Sequence, residues 1–257
     1  MRDKCCLSCG RSWQSKSLLP IQQQLARALA DENTYPALFR LLARMRLCAD
    51  CLVRLPLLGP LVCPGCGRGM PSGETCADCR RYADEHLKQN RSLLSYNDWG
   101  RSMIRQFKYR GDERLGDLFA DLLAVGYYRH YRGIRFQLVT HVPLHEARMR
   151  DRGFDQAERI AVRFSEITGI PFFPLLTRIK NTDKLSKQGG RLARWKSMQA
   201  AFSPRERMPV PYGKRPEHIL LIDDIYTTGS TVRACAAAIH GMPEFAQTAI
   251  SSLSIFR

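Results

Sequence analysis

The sequence has no apolar run near the ~20 residues that a membrane-spanning helix needs. Its best stretch, residues 37–47, is interrupted by Arg40, Arg44 and Arg46. The opening residues Met1, Arg2, Asp3, Lys4, Cys5 and Cys6 lack the apolar segment of a secretory signal. A cytoplasmic location with no membrane span is therefore expected. There is no low-complexity segment, and no internal repeat apart from short cysteine pairs. Cysteine is nearly absent from the second part of the chain, where only Cys235 follows residue 80, inside the small apolar run Ala234–Ala238. That setting suits a small core residue. Acidic residues are also scarce, 24 against 40 Lys and Arg, for a net charge of +16. Charge of this size speaks to partners rather than fold, and leaves open nucleic acid, phosphorylated metabolites and anionic surfaces.

The 257 residues allow one or two domains. Residues 1–90 hold 13 basic and 8 acidic residues, a net of +5. Residues 91–257 hold 27 basic and 16 acidic residues, so most of the positive charge, +11, lies there. In this second part apolar periodicity predicts strands at Arg91–Tyr96, Gln137–Val142, Pro171–Leu176, His218–Ile222 and Thr248–Ile255. Helices are predicted at Trp99–Tyr109, Leu115–Tyr128, Phe154–Thr168 and Gly229–His240. Alternating strands and helices imply an α/β fold with a mostly parallel sheet. The expected division is a cysteine-rich domain over residues 1–85 and an α/β domain over 90–257. Residues 20–47 separate the first two cysteine pairs and carry helical periodicity, which is read as a solvated two-helix insertion within about 10–47.

Four Cys-x-x-Cys pairs occur: Cys6/Cys9, Cys48/Cys51, Cys63/Cys66 and Cys76/Cys79. Two thiolates spaced this way can face one metal across a tight turn, and four complete the closed tetrahedral shell of structural zinc. Gly65 and Gly67 suit a knuckle that bends sharply after each ligand. Disulfides fit poorly with a chain lacking an export signal, and a redox pair would follow a strand and open a helix, which none of these pairs is expected to do. The spacing favours two zinc ions over one, and Cys5 could replace Cys6 as a ligand. A closed tetrathiolate shell leaves no open position for catalysis, so its role is folding and docking.

The sharpest motif runs from Ile219 to Thr231: a buried apolar strand, the acids Asp223 and Asp224, then Thr227, Thr228, Gly229, Ser230 and Thr231 opening a helix. A helix N-terminus after a parallel strand offers free N–H groups and a positive dipole end. Gly229 lets the backbone wrap closely, and the hydroxyls add donors. The two acids can accept hydrogen bonds from vicinal sugar hydroxyls. A phosphate cradle beside a diol clamp describes ribose 5-phosphate.

This motif resembles the fingerprint of type I phosphoribosyltransferases over thirteen consecutive residues. The resemblance implies Asp223 and Asp224 as catalytic groups and Asp223–Thr231 as the phosphoribosyl-binding loop. It also implies a pyrophosphate loop at Pro143 and Leu144 with Arg148 and Arg152, whose strained backbone presents N–H groups to the anion. His145 could touch the same anion or simply lie at the surface. Further, it implies a closing lid with Lys184, Lys187 and Arg191, and Mg²⁺ bridging diphosphate and ribose hydroxyls. The stretch Arg178–Lys196, with seven basic residues, one acid and Gly189-Gly190, suits a lid and a nucleic-acid contact equally.

The whole combination is similar to the ComF family, including its GntX-like members: a double zinc ribbon fused to a phosphoribosyltransferase-like domain. The resemblance is carried by the cysteine pairs, by Phe107–Asp112, Val142–His145, Arg152–Ala157 and the phosphoribosyl loop. The long insertion between Cys9 and Cys48 departs from the pattern. The family implies handling of single-stranded DNA, with protein partners, during DNA uptake in natural transformation. No strand pattern carries an aromatic-rich face for base stacking, so phosphate contacts are expected to dominate such binding. Two other functions stay open: a salvage enzyme transferring phosphoribosyl to a base, and a non-catalytic sensor of phosphoribosyl diphosphate. No segment identifies a base-binding hood.

Overall fold

The computed structural model describes residues 4–13, 18–82, 85–110, 112–181, 200–205 and 215–257. The expected lid residues Lys184, Lys187 and Arg191 lie outside the described residues.

The elements follow in chain order: β1 (Lys4–Cys5), β2 (Ser12–Trp13), α1 (Leu19–Leu29), α2 (Tyr35–Arg44), α3 (Ala49–Val53) and α4 (Ala77–Arg81). Then come β3 (Gln89–Leu94), α5 (Asp98–Tyr109), α6 (Arg114–His130), β4 (Leu138–His141), α7 (Glu146–Arg152) and α8 (Gln156–Thr168). The remainder is β5 (Leu176–Arg178), β6 (Phe202–Pro204), β7 (His218–Ile225), α9 (Ser230–His240) and β8 (Ala249–Phe256).

The main sheet has the order β3-β8-β7-β4, and every pairing is parallel. Helices flank it, and two groups of four cysteines stand at the N-terminal side of the sequence. The α/β fold expected from the alternating pattern is therefore present. Its central strands read as near-continuous apolar runs because both faces are covered. Ile219, Leu220, Leu221 and Ile222 of β7 are fully enclosed. Three serines of β8 are buried too, and hydrogen bonds satisfy two of them on β3: Ser254 Oγ lies 2.6 Å from Ser92 Oγ, and Ser252 Oγ donates to Asn90 Oδ1 at 2.9 Å.

Edge strands expose unpaired backbone groups that need covering. At β3 the chain of the cysteine-rich part provides the cover. Leu58 N donates to Leu93 O (3.0 Å), Ser95 N to Pro56 O (2.7 Å) and Asn90 N to Gly65 O (2.7 Å).

Two expectations are corrected. Pro171–Leu176 is not a full strand. Phe172 makes one parallel bridge to Val139, while the strand β5 begins at Leu176 and pairs antiparallel with β6. Pro171 and Pro174 lack N–H donors, so a longer ladder cannot form. Nor is the insertion solvated. Leu38, Leu41 and Leu42 of α2 are buried in the same apolar cluster as Leu118 and Leu122 of α6. Arg44 of α2 forms an ion pair with the buried Asp121 of α6. A leucine stripe at steps of three and four must be buried somewhere, and the outer face of α6 receives it.

Candidate functional site

Each cysteine group is built the same way. Cys6, Cys9, Cys48 and Cys51 form one, and Cys63, Cys66, Cys76 and Cys79 the other, with all sulfurs in a group within 4.8 Å of one another. Cys48 N donates to Cys6 Sγ and Cys76 N to Cys63 Sγ, both at 3.3 Å. The sulfurs of Cys9 and Cys48, and of Cys66 and Cys76, lie 3.7 Å apart. Tetrahedral zinc with Zn–S near 2.3 Å requires a separation of about 3.8 Å, so both groups fit a structural zinc. Cys5 lies outside the group, exposed on β1.

The thiols within each group differ in acidity. Burial raises Cys6 and Cys63, but backbone N–H donors outweigh it and draw them down to about 7 and about 6. Burial and then the neighbouring thiols push Cys51 up to about 12, and Cys79 higher still. A zinc ion held by the four sulfurs would supply the charge that keeps them all as thiolates.

The second site lies at the C-terminal ends of β4 and β7. Lys108, Val142, Pro143, Leu144, Arg152, Gln156, Asp223, Asp224 and Thr231 line a cavity of about 190 Å³. A neighbouring cavity of about 500 Å³ shares Pro143, Leu144, Asp155 and Arg178 with it, and adds His141 and Arg205.

In the smaller cavity Lys108, near the end of α5, forms an ion pair with Asp224. Burial pushes the Asp224 carboxyl upward, but the Lys108 ammonium outweighs it and holds the group below the usual carboxylate range. Asp223 goes the other way. Burial first, and then the Asp224 charge, raise it well above that range. Burial depresses Lys108 as well, but Asp224 and Asp223 keep it charged. With Lys108 on Asp224 Oδ2 and Asp223 favouring its proton, the pair offers few free carboxylate oxygens to a magnesium ion.

Beyond Asp224 the chain turns into α9. Gly229 has φ +81°, and a side chain there would collide with the hydroxyl of the buried Tyr226, so both the backbone and the space require glycine. Thr228 and Ser230 approach each other through their hydroxyls at 2.9 Å, and Thr227 is exposed. Of the hydroxyl-bearing loop residues, Thr231 lines the acid pair's cavity.

The segment after β4 differs from the expected pyrophosphate loop. Residues 146–152 form α7, so the loop shrinks to Val142–His145, and none of these has left-handed backbone. The Leu144 N–H is already engaged, donating to Asp155 Oδ2 at 2.7 Å, while Asp155 Oδ1 caps α8 by accepting from Ala157 N (2.9 Å) and Glu158 N (3.1 Å). One carboxylate thus ties the loop to the helix that follows. His145 caps α7, its Nδ1 accepting from Ala147 N at 3.1 Å. His141, beneath, is pushed down to about 4 by burial, with Arg205 reinforcing and Asp155 opposing. It is neutral at neutral pH.

Of the two arginines expected at the anion, Arg152 reaches the cavity. Arg148 does not line it, and sits on α7 near Asp151 at 3.7 Å. Arg152 Nη1 donates to Gln156 Oε1 at 3.0 Å, and its guanidinium lies 5.5 Å from the centre of the Tyr109 ring. Arg152 Nε and Gln156 Nε2 are buried donors without a partner among the described residues. Lys108, Asp155 and Gln156 were missed as site residues. All three lie inside segments that carry the family resemblance, but no spacing rule links residue 108 to residue 224.

No protein-family model matches the sequence. Among curated proteins, competence protein ComFC of Bacillus subtilis (strain 168) is 30% identical over 233 residues, covering 89% of this chain and 91% of that protein. The chain belongs to the ComF family. ComFC of Streptococcus pneumoniae (strain ATCC BAA-255 / R6) is 29% identical, covering 72% of this chain and 77% of its own. The DNA utilization protein YhgH of Salmonella typhi is 27% identical, covering 68% and 76%. Membership of the ComF family accords with the paired cysteine groups beside an α/β sheet. No helix among the described residues is long and apolar enough to cross a membrane.

Proposed function

We propose that this chain binds a phosphoribosyl group, as phosphoribosyl diphosphate or ribose 5-phosphate, and acts on incoming single-stranded DNA during uptake in the cytoplasm. The observation that carries the ligand is the convergence in one cavity of the acid pair, Lys108, Arg152 and the start of α9. Asp223 and Asp224 take the sugar hydroxyls, and the N–H groups of Thr228–Thr231 take the 5-phosphate. Arg152 Nε and Gln156 Nε2 are spare donors for the diphosphate. Any magnesium comes with the diphosphate oxygens, since Lys108 already neutralises Asp224.

The DNA part of the proposal rests on the relatives' names, competence protein and DNA utilization protein. The net +11 of residues 91–257 supports it. Tyr109 adds a local argument. It is 69% exposed beside Arg152, and an open aromatic face stacks on any base.

Calorimetric titration of phosphoribosyl diphosphate into zinc-replete protein tests the ligand. Saturable binding that Arg152→Ala weakens about tenfold or more is the expected result, and no heat of binding at millimolar ligand would refute it. For the DNA, Tyr109→Ala is expected to weaken binding of a labelled single strand by roughly 1–3 kcal/mol. Unchanged affinity would remove this residue from the interface.

A further inference from the structure

We propose that Arg257 couples the second cysteine group to the phosphoribosyl loop, so that zinc at Cys63, Cys66, Cys76 and Cys79 and a sugar phosphate at the loop bind cooperatively. This inference rests on the phosphoribosyl assignment above.

The main chain fixes Arg257 firmly. Its N donates to Leu94 O at 2.9 Å, and its O accepts from Tyr96 N at 3.0 Å. The guanidinium then spans two structures. Nε donates to Cys66 O at 3.0 Å and Nη2 to Cys66 Sγ at 3.3 Å. On the other side Nη1 donates to Thr227 O at 2.9 Å and more weakly to Tyr226 O at 3.4 Å. The same group lies 5.1 Å from the centre of the Tyr226 ring. Tyr226 in turn fills the space that a side chain at Gly229 would need. An unbroken chain of contacts therefore runs from a metal-ligand sulfur to the phosphate turn.

Zinc with four thiolates has a formal charge of −2, and a permanently charged guanidinium on one sulfur offsets part of it. The knuckle is otherwise bound to the sheet. Asn90 N donates to Gly65 O at 2.7 Å, and Asn90 Nδ2 to Cys66 O at 3.2 Å. A side chain at Gly67, where φ is +68°, would collide with Asn90 O. Loss of the metal would release the constraint on Cys66 Sγ, and with it one acceptor of the guanidinium, while Asn90 keeps Cys66 O in place. The donor that orients Thr227 and Tyr226 would then be held less firmly. The first cysteine group has different neighbours: Ser8 Oγ accepts from Trp99 Nε1 at 2.8 Å, and Leu7 N donates to Arg46 O at 2.9 Å. The coupling should accordingly involve one zinc of the two.

Linkage makes such coupling reciprocal, typically 5–150-fold. The test uses the full zinc-loaded chain, with equilibrium competition for zinc by a chelator, with and without saturating phosphoribosyl diphosphate. In the wild type the ligand should raise the apparent affinity of one zinc about fivefold or more and leave the other unchanged. Arg257→Gln should retain both zinc equivalents in the absence of chelator, bind the ligand at least about fivefold more weakly, and lose the ligand's effect on zinc. Arg257→Lys keeps the charge without the fork and should fall between; if the Gln variant misfolds, this one decides. Ligand binding by the wild type that changes neither zinc affinity overturns the coupling while leaving the phosphoribosyl assignment intact. So does a Gln variant that behaves as wild type. A wild type that fails to bind phosphoribosyl diphosphate at all defeats both.

Discussion

Asp223 and Asp224 are neighbours in sequence, yet their surroundings drive them to opposite protonation states. Lys108 takes Asp224 as a partner, and burial beside that charge leaves Asp223 favouring its proton. A group whose pKa is raised on folding stabilises the native state at low pH, and that stabilisation is lost as pH rises through the folded value. Asp223→Asn, which cannot ionise, should therefore gain melting temperature relative to wild type as pH climbs from about 5 to about 8. A difference that stays flat across that range would show that Asp223 ionises normally. Gly229 is the second residue-scale constraint. Gly229→Ala meets both a left-handed backbone and the Tyr226 hydroxyl. Binding of phosphoribosyl diphosphate should weaken by at least about tenfold, or about 1.4 kcal/mol. Unchanged affinity on titration would mean that the turn does not need its observed shape.

At the scale of elements, the helical hairpin α1–α2 is part of the core. Leu42 is 2% exposed and packs in the cluster that includes α6, so Leu42→Ala should cost about 2–5 kcal/mol in denaturant unfolding. A cost below about 0.5 kcal/mol would return the hairpin to the status of a solvated insertion. The same scale shows what the sequence could and could not reveal. The strands β7 and β8, the helices α5, α6 and α8 and the turn into α9 were legible, because periodicity and glycine placement are local signals. Pro171–Leu176 was overread, because apolar content outweighed the two prolines. The leucines of α2 were recognised as a stripe, but nothing local says what covers a stripe. Around the cavity, the acids and the loop stood out through their contiguity. Lys108 and Arg257 did not, since each reaches its partner only after the sheet has assembled. Asp155 was hidden for another reason: an N-cap aspartate looks ordinary, and its second oxygen on Leu144 N is a tertiary contact.

At the scale of the whole molecule, the second four-cysteine group covers the β3 flank of the sheet, the first sits beside α5, and the phosphate turn lies at the strand ends. Purified protein should contain two equivalents of zinc, and chelation should lower its melting temperature because metal binding here is folding energy. One equivalent, or an unchanged transition, would contradict the pairing of thiols seen in both groups. The positive charge of residues 91–257 should make single-stranded DNA binding fall steeply with salt, log affinity declining by about 0.7 per phosphate contact for each unit of log salt. The measurement closest to the central claim is a titration of phosphoribosyl diphosphate, comparing zinc-replete wild type with the Asp223→Asn/Asp224→Asn double variant. Saturable one-to-one binding by the wild type, lost in a double variant that still unfolds cooperatively and retains zinc, is the predicted result. Equal binding by the two proteins, or none by either, would contradict it.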